Sequence, residues 1–252
     1  MKNDFDQAGL YSKTNRPQID FGAKLLKLLQ HTQNETVLDI GCGSGELTYK
    51  IAEEAVKFNG RIIAIDPDID RINLAVRNLP TQINNIEFLV DKAENLESVA
   101  RNSIDVIFSS SVFNWIKYKK KMFAEFSRCL RNYSTCYFQC LQSISEIMKR
   151  IILMDSKTGQ SILDKSYYFL SKNEWYALFN LSRFKVIKFE IYPDTVRFES
   201  LNTLLEWYRG TTHGAFDPKN ISDHDLEELK SEYPGKIDID FTYALGIIQI
   251  NK

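Results

Sequence analysis

Apolar positions over the first 142 residues alternate between two spacings. Short, nearly continuous apolar runs recur at Thr36–Ile40, Arg61–Ile65, Ile86–Val90, Ile104–Phe108 and Thr135–Cys140, as strands buried on both faces require. Between them the apolar residues fall at helical intervals. Ile19, Ala23, Leu25, Leu26, Leu28 and Leu29 mark a helix within 18–30, and Leu47, Ile51, Ala52 and Ala55 mark one from Glu46 to Phe58. Further helices are predicted over Asp70–Asn78 and Lys119–Leu130. Strands that alternate with helices imply crossover connections and a mostly parallel sheet.

The rhythm changes after residue 142. Ser143 to Phe184 reads as largely helical, while Phe184–Ile191 alternates apolar with charged residues and Thr242–Ile250 is a last apolar strand. A helical insertion over about 198–234 carries Trp207, Arg209 and His213. The prediction is a single α/β domain with a doubly wound, seven-stranded, mostly parallel sheet. Its core comprises about 18–142, 184–192 and 242–250, and a helical cap comes from 1–17, 143–183 and 194–240.

Composition narrows the classes of function. Lys and Arg number 32 against 33 Asp and Glu, a net charge of −1, whereas a protein that coats nucleic acid needs a large positive excess. With 44% hydrophobic residues and 12% aromatic ones the chain can bury a full core. The longest apolar runs, such as Ile151–Met154, are about four residues, far short of a membrane span. Met1–Phe5 lacks the apolar core of a secretion signal, so a soluble, cytoplasmic protein, monomeric or homodimeric, is expected. Cys42, Cys129, Cys136 and Cys140 form no C-x-x-C pair and stand at no metal-ligand spacing from a histidine, so no metal is expected.

In open α/β sheets ligands bind beyond the carboxyl ends of the strands. Here those ends carry Asp39 and Gly41, then Asp66, Asp91, Ser109 to Ser111, and Gln139 to Gln142. Gly41, Gly43 and Gly45 follow the first strand, a spacing one residue short of the dinucleotide pattern G-x-G-x-x-G, with Glu46 where that pattern needs glycine. A carboxylate at that helix N-terminus opposes a pyrophosphate, so the loop favours a nucleoside ligand without a phosphodiester. Asp66 is placed to accept hydrogen bonds from both ribose hydroxyls; an Asp alone at such a position could equally be a helix N-cap.

The run Val37-Leu38-Asp39-Ile40-Gly41-Cys42-Gly43-Ser44-Gly45 resembles the first motif of class I S-adenosylmethionine-dependent methyltransferases. The resemblance extends to Asp66-Pro67-Asp68 and Asp91-Lys92-Ala93-Glu94 and covers about residues 8–141. It implies a Rossmann-like methyltransferase fold, S-adenosylmethionine as cofactor and S-adenosylhomocysteine as its product. It also implies that Asp91 takes the adenine amino group beside Lys92 and Ala93, and that Gly41, Ser109 and Ser110 hold the methionine portion. Tyr11, Arg16, Asp39, Cys42, Gly43, Pro67 and Trp115 complete the implied cofactor set. Direct transfer from a sulfonium demands alignment and exclusion of water more than acid–base groups. Tyr11, Phe113 and Trp115 could wall the sulfonium, Phe113 serving equally as core.

Two further stretches are similar to the trans-aconitate methyltransferase group: Tyr11–Pro17, whose Tyr closes over the cofactor in that group, and Leu204–Thr212. Juvenile hormone acid methyltransferases and the biotin-pathway enzyme share the plan. The implied acceptor is a small molecule, an organic-acid carboxylate above others, with methylation at nitrogen or carbon of a small metabolite or natural product as the alternative and an RNA or protein acceptor ranked below both. Positioning residues are then Tyr11, Asn114, Trp115, Gln139, Trp207, Arg209 and His213. Among the cationic candidates Arg16, Arg197, Arg209 and His213, Arg209 is expected to grip the acid. Asn114-Trp115 stands where many relatives carry His-Trp, so a polar contact to the substrate could differ, and Arg131–Ser134 replaces a Pro-Gly turn, which affects the loop more than the site. Lys117–Lys121, basic with an interleaved aromatic, could contact RNA or simply open a solvated helix; no nucleic-acid or membrane partner is expected.

Overall fold

The computed structural model describes residues 7–251. The start of the expected cap segment 1–17 and the Met1–Phe5 stretch therefore lie outside the described residues. In chain order the elements are α1 (Gln7–Thr14), α2 (Arg16–Leu26), β1 (Thr36–Ile40), α3 (Glu46–Ala55), β2 (Arg61–Asp66), α4 (Ile69–Arg77), β3 (Ile86–Val90) and β4 (Ile104–Ser110). They continue with α5 (Lys119–Cys129), β5 (Leu130–Ser143), α6 (Glu146–Met154), α7 (Gly159–Lys165), α8 (Lys172–Leu181), β6 (Phe184–Phe198), α9 (Leu201–Thr211), α10 (Asp223–Glu232) and β7 (Ile237–Ile250).

Seven strands form one sheet in the order β3-β2-β1-β4-β5-β7-β6. β1 to β5 run parallel, and β7 enters antiparallel between β5 and β6. The fold is the expected doubly wound one. β1 and β2 are buried almost throughout, the consequence of helices covering both faces of a parallel sheet. One face packs α5 and α8 against the sheet through Phe113, Phe123, Phe126, Phe138 and Trp175. The other packs α2 and α3 through Leu25, Ile51, Ala52 and Phe108.

The late strands are longer than the local pattern suggested. β6 and β7 pair from Phe184↔Ile250 to Phe198↔Ile237, well past Tyr192 and Thr242. Alternation explains the extension: Val196, Phe198, Ile237, Ile239 and Phe241 turn one apolar face toward the helices between the strands. That ribbon and α9 form a second apolar cluster with α6, so the cap is packed onto the sheet's end. The early helix also differs. The helix expected within 18–30 is α2, which starts earlier, at Arg16, and ends at Leu26; Pro17 is in its first turn, where a missing N–H costs nothing, and α1 precedes it.

Strand order reverses between β1 and β4, whose outward neighbours lie on opposite sides. A crevice at the carboxyl ends of those strands follows from the topology.

Candidate active site

A cavity of about 390 Å³ opens at that crevice. Its floor includes Ile40 and Gly41, where β1 passes into the glycine loop; Gly43 lies just behind, outside the lining. Gly41 and Gly43 have φ of +72° and +58°, where a side chain is strained. A Cβ on Gly41 would also stand 2.3 Å from Val112 Cγ2, and one on Gly43 would stand 3.2 Å from the Tyr11 ring. The loop's amides are committed within the protein. Gly41 and Cys42 donate to the Ile65 carbonyl at 2.8 and 2.9 Å, Gly43 donates to Asp66 Oδ2 at 3.0 Å, and Gly45 donates to the Cys42 carbonyl. At the start of α3 the Glu46 carboxylate accepts the hydroxyls of Ser44 and Ser12. This is a poor phosphate cradle: the amides of Gly41, Cys42, Gly43 and Gly45 already have acceptors, and the helix terminus carries an anion.

Asp66 ends β2 and lines the cavity. Besides the Gly43 amide it accepts the Asp68 amide at 3.0 Å, and burial raises its carboxyl above the ordinary range against the pull of Arg71. The N-cap of α4 is Asp68, which accepts the amides of Asp70 and Arg71, so Asp66 is free of that duty. Asp91, Lys92 and Ala93 line the next strand end, with the Asp91 carboxylate accepting the Lys92 amide and both donors of Ser98.

Of the other expected cofactor residues, Gly41, Pro67, Ser110, Tyr11 and Trp115 line the cavity. Asp39 lies behind the loop, where Thr48 donates to it at 2.6 Å and burial pushes its carboxyl up to about 7. Cys42 is buried, with its thiol pushed well above its usual range by desolvation, so it is no nucleophile. Ser109 is fully buried and donates to the Ile40 carbonyl, a tie between β4 and β1. Arg16 faces solvent and pairs with Asp20, against the expectation that it binds cofactor.

Of the positioning candidates, Asn114, Trp115, Trp207 and His213 join Tyr11 at the cavity. Trp207 Nε1 donates to Gln18 Oε1 at 2.9 Å. His213 is half-exposed at the rim, its Nδ1 2.9 Å from Asp68 Oδ2. Gln139 is buried under the sheet's end and accepts the Ser110 hydroxyl rather than lining the cavity. Phe113 is core, stacked on Phe138.

Arg209 corrects the sequence reading. The spacing of α9 that puts Trp207, Tyr208 and Thr211 at the cavity turns Arg209 away, toward Glu206 and Asp217 at 3.9 and 3.8 Å. Arg197 is exposed and paired with Asp238. The arginine at the cavity is one that sequence reasoning passed over, Arg71, in the first turn of α4. Its guanidinium lies 3.9 Å from the Tyr11 ring centroid and donates to the Gly210 carbonyl at 3.3 Å. Its place three residues past the Asp68 cap was the available signal. Tyr167 and Tyr208 were also missed; their hydroxyls meet at 2.8 Å although 41 residues separate them, a contact no local pattern announces. The basic run splits: Lys119 is buried, donating to the Ile116 and Tyr168 carbonyls, while Lys117 and Lys121 flank the Tyr118 ring.

The methyltransferase domain family matches residues 31–183 of this sequence. The chain belongs to the methyltransferase domain family. A putative methyltransferase 235L of Invertebrate iridescent virus 6 is 33% identical over 127 residues, 50% of this chain and 45% of the viral protein. The malonyl-[acyl-carrier protein] O-methyltransferase of Halalkalibacterium halodurans is 25% identical over 185 residues, 67% of this chain and 65% of that protein. The matched part thus spans less than two thirds of either relative. Among solved structures, the Haemonchus contortus phosphoethanolamine N-methyltransferase 2 in complex with S-adenosyl-L-methionine superposes with a TM-score of 0.64 at 17% identity, covering 97% of this chain and 57% of that one. At that identity the likeness is one of fold. Within this methyltransferase domain the matched span holds the glycine loop, Asp66, Asp91 and Asn114, whereas Tyr11, Trp207 and His213 lie outside it.

Proposed function

We propose that this chain is an S-adenosylmethionine-dependent methyltransferase that acts on a small-molecule acceptor, leaving S-adenosylhomocysteine. The observation that carries the reading is the loop after β1: its glycines admit close approach, the amides of Gly41, Cys42 and Gly43 point to acceptors at the end of β2, and Asp66 stands beside it with no capping duty. A cradle so built suits a zwitterionic nucleoside better than a pyrophosphate. Asp66 would accept the ribose hydroxyls, Asp91 and the Ala93 segment would border the adenine, and the backbone at Gly41 with Ser110 would meet the methionine portion. Tyr11, backed by Arg71, would close the nucleoside from above.

When bound, S-adenosylmethionine would supply an electrophilic methyl group, with the neutral thioether of S-adenosylhomocysteine as the leaving group and any proton of the acceptor lost to solvent. The protein's part is to align the acceptor and keep water out, and Trp115, Trp207 and the Tyr167–Tyr208 pair wall the cavity for that purpose.

The kinship with the trans-aconitate group belongs to the same proposal, resting on Tyr11–Pro17 and Leu204–Thr212; Tyr11, Trp207 and Tyr208 from those stretches do line the cavity. Methylation of a carboxylate is the finer reading suggested by that kinship, but among the described residues the arginines expected to hold the acid lie elsewhere. Four free, buried cysteines support work in a reducing compartment such as the cytoplasm. No helix among the described residues is long and apolar enough to cross a membrane.

Calorimetry with S-adenosylhomocysteine tests the reading. Saturable one-to-one binding that weakens in Asp66→Ala is expected; no heat with the intact protein would overturn it. Incorporation of labelled methyl into small-molecule pools, rather than base-stable incorporation into RNA, is the expected second result.

A further inference from the structure

The cavity divides into two unlike halves. Strand ends and loops at Gly41, Asp66, Asp91 and Ser110 make the lower half, which carries the charged groups. The upper half comes from α2, α6, α9, the Tyr167 segment and the β7 ribbon, and its wall is aromatic. Trp115 lies 5.0 Å from Tyr167, Trp207 lies 5.7 Å from Phe241 and 6.0 Å from Tyr208, and Phe241 lies 6.1 Å from Tyr243.

Several polar groups in that wall pair with one another. The Tyr167 and Tyr208 hydroxyls are paired, Trp207 donates to Gln18, and Gln18 donates to Thr211 at 2.9 Å. Among the described residues no Lys, Arg, Asp or Glu of the cap lines the cavity. Arg71 belongs to the lower half, where it stacks on the Tyr11 ring, donates to the Gly210 carbonyl and lies 3.7 Å from Asp68, and His213 is held at the rim by Asp68. Asn114 differs from these in being a buried carboxamide with an unused atom. Its residue is only 3% exposed, it lines the junction of the two halves, and its Oδ1 has no hydrogen-bond partner. Which end of the carboxamide faces inward is a matter of a flip, so it can offer either an acceptor or a donor.

We propose that the methyl acceptor is an uncharged molecule with an apolar body, of the phenol or alcohol class, whose one hydrogen-bonding group meets Asn114. The inference rests on the methyltransferase reading and specifies its acceptor. The cavity's charged residues, Asp66, Arg71, Asp91, Lys92 and Glu94, all belong to the lower half, so among the rings of the upper half an acid would lose its hydration without a cap cation to replace it, and an ammonium without a cap carboxylate, while sharing the cavity with a sulfonium. A neutral polar group gains from Asn114 what burial costs it, and the rings take up its apolar body.

The test titrates three probes of matched size, 4-propylphenol, 4-propylbenzoate and 4-propylbenzylammonium, into the protein saturated with S-adenosylhomocysteine at pH 7. The phenol is expected to bind at least tenfold more tightly than either ion. Asn114→Ala should weaken the phenol about tenfold while S-adenosylhomocysteine binding, which reports an intact fold, stays within twofold. Failure of S-adenosylhomocysteine to bind the unaltered protein sinks the methyltransferase reading and this inference with it. Given that binding, an ion that matches or exceeds the phenol, no binding by any of the three, or an Asn114→Ala protein that keeps its phenol affinity overturns this inference alone.

Discussion

The guanidinium of Arg71 stands 3.9 Å from the ring centroid of Tyr11 and joins three elements distant in sequence. Arg71 belongs to α4, Tyr11 to α1, and the carbonyl to which Arg71 donates, that of Gly210, to α9. A Cβ on Gly210 would press to 3.2 Å from the Tyr11 backbone, so the small residue is what lets α9 reach α1. Ring, guanidinium and carbonyl together form the roof over the end of β2.

Removing that contact should loosen the roof. Cation–π pairs contribute about 0.5–2 kcal/mol according to how desolvated they are. Arg71→Leu and Tyr11→Ala are each expected to weaken S-adenosylhomocysteine binding roughly tenfold, and the double variant should lose less than the two losses added. Tyr11→Phe keeps the ring and should stay near the unaltered protein. Calorimetry reads all four; full additivity would show that the two side chains act separately.

Gly41→Ala tests the floor. The new methyl would meet Val112 at 2.3 Å in a backbone at φ +72°. Strain of that kind costs about 1–3 kcal/mol, to be read as a lower urea midpoint. Adding Val112→Ala makes room but leaves φ unchanged, so recovery should be partial.

Asp66 holds the loop and, on the proposed reading, the ribose. Asp66→Ala is expected to cost about 1.5–3 kcal/mol of S-adenosylhomocysteine affinity, the range for hydrogen bonds to a charged group. Because Gly43 and Asp68 also donate to this carboxylate, the thermal midpoint should fall as well. Unchanged affinity would remove Asp66 from the cofactor site.

Asp39 predicts a pH dependence. Burial raises its carboxyl to about 7 in the folded protein, above the ordinary value near 3.8. The folded state therefore holds the proton more tightly, and ionisation penalises it progressively as pH rises from about 4 to about 7, on the order of 4 kcal/mol in all. Asp39→Asn keeps an acceptor for Thr48 and removes the ionisation. The stability difference between the variant and the unaltered protein should grow in the variant's favour over that window and level off above it, as measured by urea unfolding at several pH values.

Arg209 now carries a structural prediction. Its side chain is 10% exposed between Glu206 and Asp217, so Arg209→Ala should lower stability by about 1–3 kcal/mol through lost packing and pairing. Affinity for 4-propylbenzoate should not change. A selective loss of acid binding would restore Arg209 to the substrate site.

The lower half of the site was legible in the chain itself, and for a local reason. Gly41, Asp66 and Asp91 each stand at or just past the end of a parallel strand, and parallel strands with helical crossovers bring such ends to one edge whatever the rest of the protein does. Periodicity and short-range chemistry therefore determined the sheet, the glycine loop and the acidic strand ends. The upper half was not written that way. Whether Trp207 or Arg209 faces the cavity depends on the rotation of α9 about its own axis, which is set by packing on the β6–β7 ribbon and α6 rather than by residues nearby. Arg71 over Tyr11, and Tyr167 against Tyr208, join segments whose approach is decided only when the cap docks, because burial of apolar area fixes helix orientation to within one side chain while sequence spacing does not.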